Sequence, residues 1–355
     1  MIVIPITYYI RKNKINHKMN KKKLVVVLPG GGTRGIIQAK IMQKLDEVVQ
    51  AKLPVDYEYK GLNHYVSYVA GTSIGALNAM SVATKYSCND IIDLFLNSAG
   101  NVLNKNGWLP LNVPYFSNES MKNILNTQFE NQTFKDIQTK VLINSYNLQN
   151  TQQTIFSNIG TEEIRQQYKE FVQNIDSIKV KDAVLASASL PGLLPAHQLE
   201  YQKFGENGIE KYYEIDGGMI NNSPILELLA TIQAFDHIKL SDLFVISIGT
   251  GTCKGDLGYL NNSGVLSYLK DIRSLMTHHI ISSQHATESQ AKRILESSGG
   301  NFHNLNPHLS VNDYCNGIND SKAQIEKYVD ITNDFLEQND ELINKLADQI
   351  IQNCL

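Results

Sequence analysis

The chain has 355 residues, of which 42% are hydrophobic, enough for one large domain or two small ones. Its net charge of -3 at pH 7 gives no general attraction for nucleic acid or an anionic membrane, so we expect no nucleic-acid partner. The four cysteines are far apart and form no C-x-x-C pair, which favours reduced thiols over a disulfide framework or a zinc site. They are Cys88, Cys253, Cys315 and Cys354.

Residues 1–21 are predicted to be a flexible N-terminal leader, with the folded domain beginning near Lys22. An apolar run precedes the basic residues, which reverses the order of a secretory signal, and Pro5 interrupts it. The alternative is a weak membrane contact by Ile2 to Ile10 with the lysines that follow. No other stretch reaches the ~20 apolar residues of a membrane span. The sequence therefore predicts a cytoplasmic protein, or one exported without a cleavable signal, with peripheral membrane contact at most.

The next segment predicts a strand followed by a helix. Leu24 to Leu28 is a continuous apolar run, which is typical of a buried parallel strand. A glycine turn follows, and then apolar residues recur at helical spacing. These are Ile36, Ile37, Ile41, Leu45 and Val48. This order is that of a βα unit.

The glycine turn, P-G-G-G-T-R-G, predicts an anion site. Glycines between a strand and a helix let backbone N–H groups converge on a negative charge, and the helix dipole adds to the attraction. Pro29 has no N–H, while Arg34 adds a positive charge nearby. A Walker lysine and a Rossmann acidic residue are both missing, so the anion is a phosphate or a reaction's oxyanion, not a nucleotide. The candidate residues are Gly30, Gly31, Gly32, Thr33, Arg34 and Gly35.

A second motif, G-x-S-x-G, places Ser73 between Gly71 and Gly75. The residues before it are β-branched and aromatic and those after it favour a helix, so the motif joins a predicted strand to a predicted helix. Two interpretations are open at this point. Ser73 is either a nucleophile on a strained turn, or a helix cap whose hydroxyl accepts a hydrogen bond from the first helical turn.

Further strands are predicted at Lys140 to Leu148 and Leu243 to Thr252, with a helix at Val180 to Ser187 between them. The alternation predicts an α/β fold with a mostly parallel sheet covered on both faces. Asn97 to Phe116 is polar and contains Gly and Pro, which predicts a loop or lid. Its apolar residues would form a small core beneath the loop or a lipid contact. They are Trp108, Leu109, Leu111 and Phe116.

The C-terminal segment, residues 306–355, is predicted to be a helical extension. Apolar residues recur at helical spacing from Ser321 to Cys354, with acidic residues beside them. An acidic amphipathic helix favours packing on its own domain over binding an anionic membrane. The apolar residues are Ile325, Val329, Phe335, Leu336, Leu342, Ile343, Leu346 and Ile350.

The third motif is D-G-G, in which Asp216 ends a predicted aromatic strand and Gly217 and Gly218 permit a tight turn. On its own it predicts only a turn. Beside a serine turn and an anion loop, the carboxylate of Asp216 becomes the candidate base for Ser73. Because an aspartate with a reference pKa of ~3.9 is a weak base, we expect partial burial to raise this pKa.

In these three motifs, in their order and spacing, the sequence resembles the patatin-like phospholipase family. The resemblance covers about residues 22–252, with weaker matches at Tyr115 to Leu125 and Val180 to Ala196. It implies a patatin-like three-layer α/β/α domain, here residues 22–305, and a Ser-Asp dyad that works without histidine or cofactor. Ser73 would attack the ester and Asp216 would take its proton. The implied substrate is a phospholipid or other fatty-acyl ester, met during transient contact with a membrane surface.

Two alternatives to the dyad remain open. One is an α/β-hydrolase triad that uses a late histidine, although the glycine run lacks the preceding histidine of H-G-G-G. The candidates are His237, His278, His279, His285, His303 and His308. The other is a module that binds lipid or anion without turnover. No D-x-[DN]-x-[DN]-G run is present, so we expect any activity to be independent of calcium.

Overall fold

The computed structural model describes residues 21–101, 103–105, 114–203, 205, 208–254, 272–315 and 317–355. These ranges do not include the predicted leader, except for its last residue. They also do not include Trp108, Leu109 and Leu111. The strands are β1 (Lys23–Leu28), β2 (Val66–Gly71), β3 (Asn104–Lys105), β4 (Phe116–Ser117), β5 (Lys140–Asn147), β6 (Gln152–Ser157), β7 (His197–Tyr201), β8 (Glu210–Asp216), β9 (Leu243–Ile248) and β10 (Asn301–Leu305). The helices are α1 (Gly35–Lys52), α2 (Ile74–Ala83), α3 (Cys88–Ser98), α4 (Glu119–Phe129), α5 (Glu162–Arg165), α6 (Val180–Ala188), α7 (Ile225–Phe235), α8 (Ile272–Ser297), α9 (Val311–Cys315), α10 (Lys322–Gln338) and α11 (Asp340–Asn353).

One sheet contains eight of these strands, in the order β10-β9-β1-β2-β5-β8-β7, with β6 on β5. The pairs from β10 to β5 are parallel, whereas β6, β7 and β8 are antiparallel to their neighbours. The predicted α/β fold with a largely parallel sheet is therefore confirmed. The antiparallel end is an addition that the pattern of alternating strands and helices did not predict.

Helices cover both faces of this sheet, which gives three layers. Residues of β1 alternate between two cores because successive side chains of a strand point to opposite faces. Leu24, Val26 and Leu28 pack in the core that contains α1, α2 and α6. Val25 and Val27 pack in the second core, with α7 and the end of α8. Both faces of β1 are therefore buried.

The predicted C-terminal helical extension, residues 306–355, contains α9, α10 and α11, and both α10 and α11 pack on α1. Asn339 separates α10 from α11 with φ -116° and ψ 21°, and its side chain donates to Phe335 O at 2.7 Å. An asparagine that bonds the preceding turn ends a helix readily.

Within the described residues, no helix combines the length and apolar composition needed to cross a bilayer.

Candidate active site

Strands β2 and β8 meet end to end along one edge of β5. Strand β2 runs parallel to β5, and its last residue Gly71 pairs with Ile143. Strand β8 runs antiparallel to β5, and its last residue Asp216 pairs with Ser145. Both must share one edge, because β6 pairs along the other edge of β5 over residues 142–147. The two strands therefore point at each other, and the residues that follow Gly71 converge on Asp216 beside Asn144.

Ser73 lies on the turn from β2 to α2 with φ 56° and ψ -124°, a conformation that is uncommon for a residue with a side chain. Its hydroxyl makes no capping bond to α2 and donates to Asp216 Oδ2 at 2.6 Å. Its amide donates to Ser187 Oγ at 2.8 Å. A Cβ at Gly75 would lie 1.8 Å from Leu28 O, so glycine alone lets α2 begin so close to β1. Ser73 therefore occupies the position before α2, but its side chain does not cap the helix.

Asp216 is buried, with 3% of its surface exposed. Its Oδ2 accepts from Ser73, and its Oδ1 accepts from the amide of Gly218 at 2.7 Å, inside the turn that begins at Gly217. Burial raises the pKa of Asp216 to about 6, and the two hydrogen bonds oppose this rise. The burial is nearly complete, where the sequence suggested only partial burial. A carboxylate with a pKa near 6 is a better proton acceptor at neutral pH than an ordinary aspartate.

Several amides of the glycine loop hold the loop in place. The N–H of Gly30 donates to Asn222 O at 3.2 Å, and that of Thr33 donates to Gly317 O at 2.8 Å. The N–H of Gly35 donates to Gly32 O. These three amides are therefore occupied within the protein. They are not free to bind an anion.

Gly31 and Gly32 supply the free amides of the loop. Neither N–H has a protein acceptor within the part of the chain that the structure describes, and both glycines line the same cavity as Ser73. Of the six predicted anion-site residues, Gly31 and Gly32 are thus the glycines whose N–H groups lack a protein acceptor in the described part of the chain. Because the two glycines are neighbours in the chain, their N–H groups can both donate to the same oxygen atom.

Arg34 ties the loop to the C-terminal part of the chain. Its Nε donates to Thr250 O at 3.1 Å, and its guanidinium also donates to Tyr314 O and lies 3.8 Å above the Tyr314 ring. The side chain is 6% exposed. The charged group of Arg34 therefore binds protein groups and helps to pack the loop against α9.

Asn144 is a site residue that the sequence analysis missed. It is fully buried, its Oδ1 accepts from the Thr72 hydroxyl at 2.6 Å, and its Nδ2 donates to Asn221 O at 2.9 Å and Gly217 O at 3.4 Å. It thus links the residue before Ser73 to the turn after Asp216. The available signal was a polar residue in the middle of the apolar strand K-V-L-I-N-S.

A family model described as patatin-like phospholipase matches residues 26–229. This chain belongs to the patatin-like phospholipase family. Patatin-like protein 1 of Arabidopsis thaliana is 26% identical over 297 residues, which cover 73% of this chain and 69% of that protein. A cGAMP-activated phospholipase of Vibrio cholerae serotype O1 is 24% identical over 244 residues, or 64% of this chain and 63% of that protein. The solved structure of VipD from Legionella pneumophila gives a TM-score of 0.38 at 12% identity, covering 87% of this chain and 67% of that one.

The chain spans 58% to 69% of the length of the curated relatives compared with it. The region that the family model matches contains the glycine loop, Ser73 and Asp216, and it ends within α7. The sheet continues beyond it through β9 and β10. The structural unit of this patatin-like chain is therefore larger than the matched region.

An apolar cavity of about 440 Å³ adjoins Ser73 and Asp216 in this patatin-like domain. This size falls within the range of about 300 to 1,000 Å³ that is usual for small-molecule sites. Its walls come from the glycine loop, from residues 190–194 and from helices α2, α3, α4 and α6, with a contribution from α10. Prominent wall residues are Phe95, Phe116, Met121, Leu125, Val184 and Ile325. An apolar chamber beside a serine suits a hydrocarbon chain next to a reacting ester.

The histidines provide no triad in the described residues. None of them hydrogen-bonds to Ser73 or Asp216 there. His285 contacts Thr252 Oγ1 at 3.0 Å, and the His303 ring lies 5.0 Å from that of Phe244 on the parallel part of the sheet. Burial lowers the pKa of His303. The partner of Ser73 in this patatin-like site is thus a carboxylate and not an imidazole.

Proposed function

We propose that this chain is a lipid acyl hydrolase that cleaves fatty-acyl esters of phospholipids or lysophospholipids through Ser73 and Asp216. The observation that supports it most is the 2.6 Å hydrogen bond from Ser73 Oγ to Asp216 Oδ2 beside an apolar cavity. Membership of a phospholipase family agrees with it, as does the name of the Vibrio relative.

The first half of the proposed reaction acylates Ser73. The hydroxyl oxygen attacks the ester carbonyl carbon while its proton passes to Asp216 Oδ2. The carbonyl oxygen becomes an oxyanion, which accepts hydrogen bonds from the N–H groups of Gly31 and Gly32. Collapse of this intermediate breaks the ester bond, and the departing alcohol takes the proton from Asp216. The acyl group remains esterified to Ser73.

The second half releases the fatty acid. A water molecule attacks the acyl-enzyme and gives one proton to Asp216, and the same two amides stabilise the second oxyanion. Collapse then breaks the bond to Ser73, whose oxygen regains the proton from Asp216. The dyad returns to its starting state, and no cofactor takes part.

The cavity is proposed to hold the acyl chain during both halves. Each methylene group moved from water into an apolar environment contributes about 0.8 kcal/mol. A long acyl chain thus supplies much of the free energy of substrate binding. The protein would reach such lipids during transient contact with a membrane surface. Part of the wall comes from helices α3 and α4, which in the chain lie on either side of the predicted lid segment, Asn97 to Phe116.

The test compares the wild-type chain with Ser73→Ala and Asp216→Asn on phosphatidylcholine and lysophosphatidylcholine vesicles, with release of fatty acid as the measurement. Ser81→Ala and Asp236→Asn are matched controls, since the Ser81 hydroxyl also donates a hydrogen bond, to Leu77 O at 3.0 Å, and Asp236 also accepts two hydrogen bonds. We expect both site variants to lose activity and both controls to retain it.

A fluorophosphonate probe gives an independent measurement. We expect it to label Ser73 in the wild-type chain and to leave Asp216→Asn unlabelled. Fatty-acid release that survives in Ser73→Ala, or that disappears on substitution of a late histidine such as His285, would contradict the dyad. Wild-type protein that binds the vesicles but shows neither turnover nor labelling would indicate a binding module.

A further inference from the structure

The peptide between Gly30 and Gly31 is held from its carbonyl side. Gly30 O accepts one hydrogen bond from Thr250 Oγ1 at 3.0 Å and another from Asn222 Nδ2 at 3.2 Å. Thr250 and Asn222 are 1% and 3% exposed, so water does not compete for these bonds. A trans peptide is planar, and its N–H points away from its C=O. Fixing the carbonyl of Gly30 therefore also fixes the direction of the Gly31 N–H.

This peptide lies between Thr250 and the nucleophile. A Cβ at Gly31 would lie 2.0 Å from Thr250 Oγ1, and a Cβ at Gly30 would lie 3.1 Å from Ser73 Cβ. With its carbonyl turned toward Thr250 and Asn222, the peptide has the Gly31 N–H on the opposite side, and Gly31 lines the same cavity as Ser73.

A chain of buried amides sets the orientation of Asn222. Asn222 Nδ2 also donates to Gln284 Oε1 at 2.9 Å, and Gln284 Nε2 donates to Glu288 Oε1 at 3.1 Å. Glu288 is 4% exposed and also accepts from Ser247 Oγ at 3.0 Å and Asn304 Nδ2 at 2.7 Å.

An ionised carboxylate accepts hydrogen bonds and donates none, whereas an amide can turn either its oxygen or its nitrogen toward a partner. Glu288 accepts from Gln284 Nε2 as it does from Ser247 and Asn304, so the oxygen of Gln284 is left to accept from Asn222. The nitrogen of Asn222 then faces both Gln284 and the carbonyl of Gly30. The donors of this chain thus run in one consistent order, from Asn222 through Gln284 to Glu288 as the terminal acceptor, while Asn222 also donates to Gly30 O.

We propose that Thr250 and Asn222, with Gln284 and Glu288 behind them, are positioning residues that aim the Gly31 N–H at the oxyanion formed on Ser73. The proposal rests on the proposed function and adds the residues that prepare its anion site. In the opposite orientation, this peptide would turn its carbonyl oxygen toward the developing negative charge, and the two would repel each other. Bonds that hold the peptide before the substrate arrives avoid reorganisation during the reaction.

The first experiment compares Thr250→Val with Thr250→Ser and with the control Thr332→Val. Thr332 is also fully buried and donates its hydroxyl to a backbone carbonyl, Tyr328 O, at 2.6 Å. We expect Thr250→Val to lower kcat on the order of 10²-fold with KM changed by no more than about twofold, because a misplaced donor weakens the transition state. Thr250→Ser keeps the hydroxyl and is expected to restore most of the activity.

The second experiment uses Glu288→Gln, which keeps the shape of the side chain but allows the amide chain to reverse. We expect kcat to fall about tenfold or more at nearly unchanged KM, with a thermal unfolding midpoint close to that of Thr332→Val. A carboxylate that serves only the packing of α8 would lower the unfolding midpoint and leave kcat unchanged.

The outcomes separate this proposal from the proposed function. If the wild-type chain shows no Ser73-dependent hydrolysis, the proposed function fails, and this proposal falls with it. If the wild-type chain hydrolyses lipid but Thr250→Val retains as much kcat as Thr332→Val, only the positioning role is overturned. A Thr250→Ser variant as slow as Thr250→Val would overturn it as well, since the hydroxyl would then not be the active feature.

Discussion

Asn144 accepts a hydrogen bond of 2.6 Å from the hydroxyl of Thr72, the residue directly before Ser73. The same side chain donates to Asn221 O beyond the turn that follows Asp216. One buried amide between the ends of β2 and β8 therefore connects the turns that present the hydroxyl and the carboxylate. Neither the G-x-S-x-G motif nor the D-G-G motif contains this residue.

Thr72→Val tests that connection. The variant leaves the buried Asn144 Oδ1 without its donor, which costs about 1 to 3 kcal/mol in the free energy of unfolding. We expect kcat to fall about tenfold, because a small displacement of the nucleophile is costly to the rate. Denaturant unfolding and lipid hydrolysis measure the two effects. Thr72→Ser should behave like the wild-type chain, and a Thr72→Val variant with full kcat would contradict the prediction.

Asp216→Asn is expected to remove activity and to stabilise the fold at neutral pH. Burial raises the pKa of Asp216 from its ordinary 3.8 to about 6, which corresponds to about 3 kcal/mol against the charged form in the folded state. Asparagine keeps the acceptor for Gly218 and carries no charge. Thermal unfolding at pH 8 should show a higher midpoint for Asp216→Asn than for the wild-type chain.

The stability difference is expected to shrink in acid. The folded wild-type chain takes up a proton as the pH falls through about 6, whereas the unfolded chain does so near 3.8. The advantage of Asp216→Asn should therefore decline between about pH 6 and pH 4. An advantage that is constant over this range would show that the pKa of Asp216 is not raised. Asp236→Asn serves as the control.

The pH dependence of activity follows from the same group. Asp216 accepts the proton of Ser73 only when it is ionised, so kcat/KM is expected to fall about tenfold per pH unit below about 6. The measurement uses a soluble, uncharged ester so that lipid packing does not change with pH. A profile that stays flat down to pH 4.5 would argue against Asp216 as the base.

We expect Met121→Trp to slow the hydrolysis of esters with long acyl chains much more than that of esters with short ones. Met121 lies on α4 in the wall of the cavity and is half-buried, so a larger side chain there reduces the cavity volume without entering the main core. We expect hydrolysis of palmitoyl esters to fall more than about tenfold, while butyryl esters change by about twofold at most. Leu342→Trp, on the exposed face of α11, is the control. Equal losses for both chain lengths would show that the chain binds elsewhere.

Removal of divalent cations is expected to leave the activity unchanged. The described residues contain no group of three histidine, cysteine or acidic side chains that could hold a metal ion. The proposed chemistry uses a hydroxyl, a carboxylate and two amides instead. Hydrolysis measured in excess chelator tests this expectation. Complete loss of activity that added calcium restores would overturn it.

The sequence alone predicted the parts of this protein that depend on neighbouring residues. The apolar run of β1, the glycine turn and α1 form one local unit, and each is fixed by backbone sterics or by the period of the side chains. The family, the α/β fold and its largely parallel sheet followed from such units and are confirmed. The roles of Ser73 and Asp216 stay predictions, supported by their contact.

The tertiary structure decided which groups of those motifs are free to act. Ser73 and Asp216 are 143 positions apart, and only the head-to-head ends of β2 and β8 bring them together. Likewise, the occupied amides of Gly30 and Thr33 bond to residues that lie far away in the chain. Periodicity and turn chemistry describe neighbours in sequence, whereas hydrogen-bond partners are neighbours in space. The glycine motif therefore predicted six candidates for the anion site, and only the tertiary structure shows that the amides of Gly30 and Thr33 are occupied by distant acceptors.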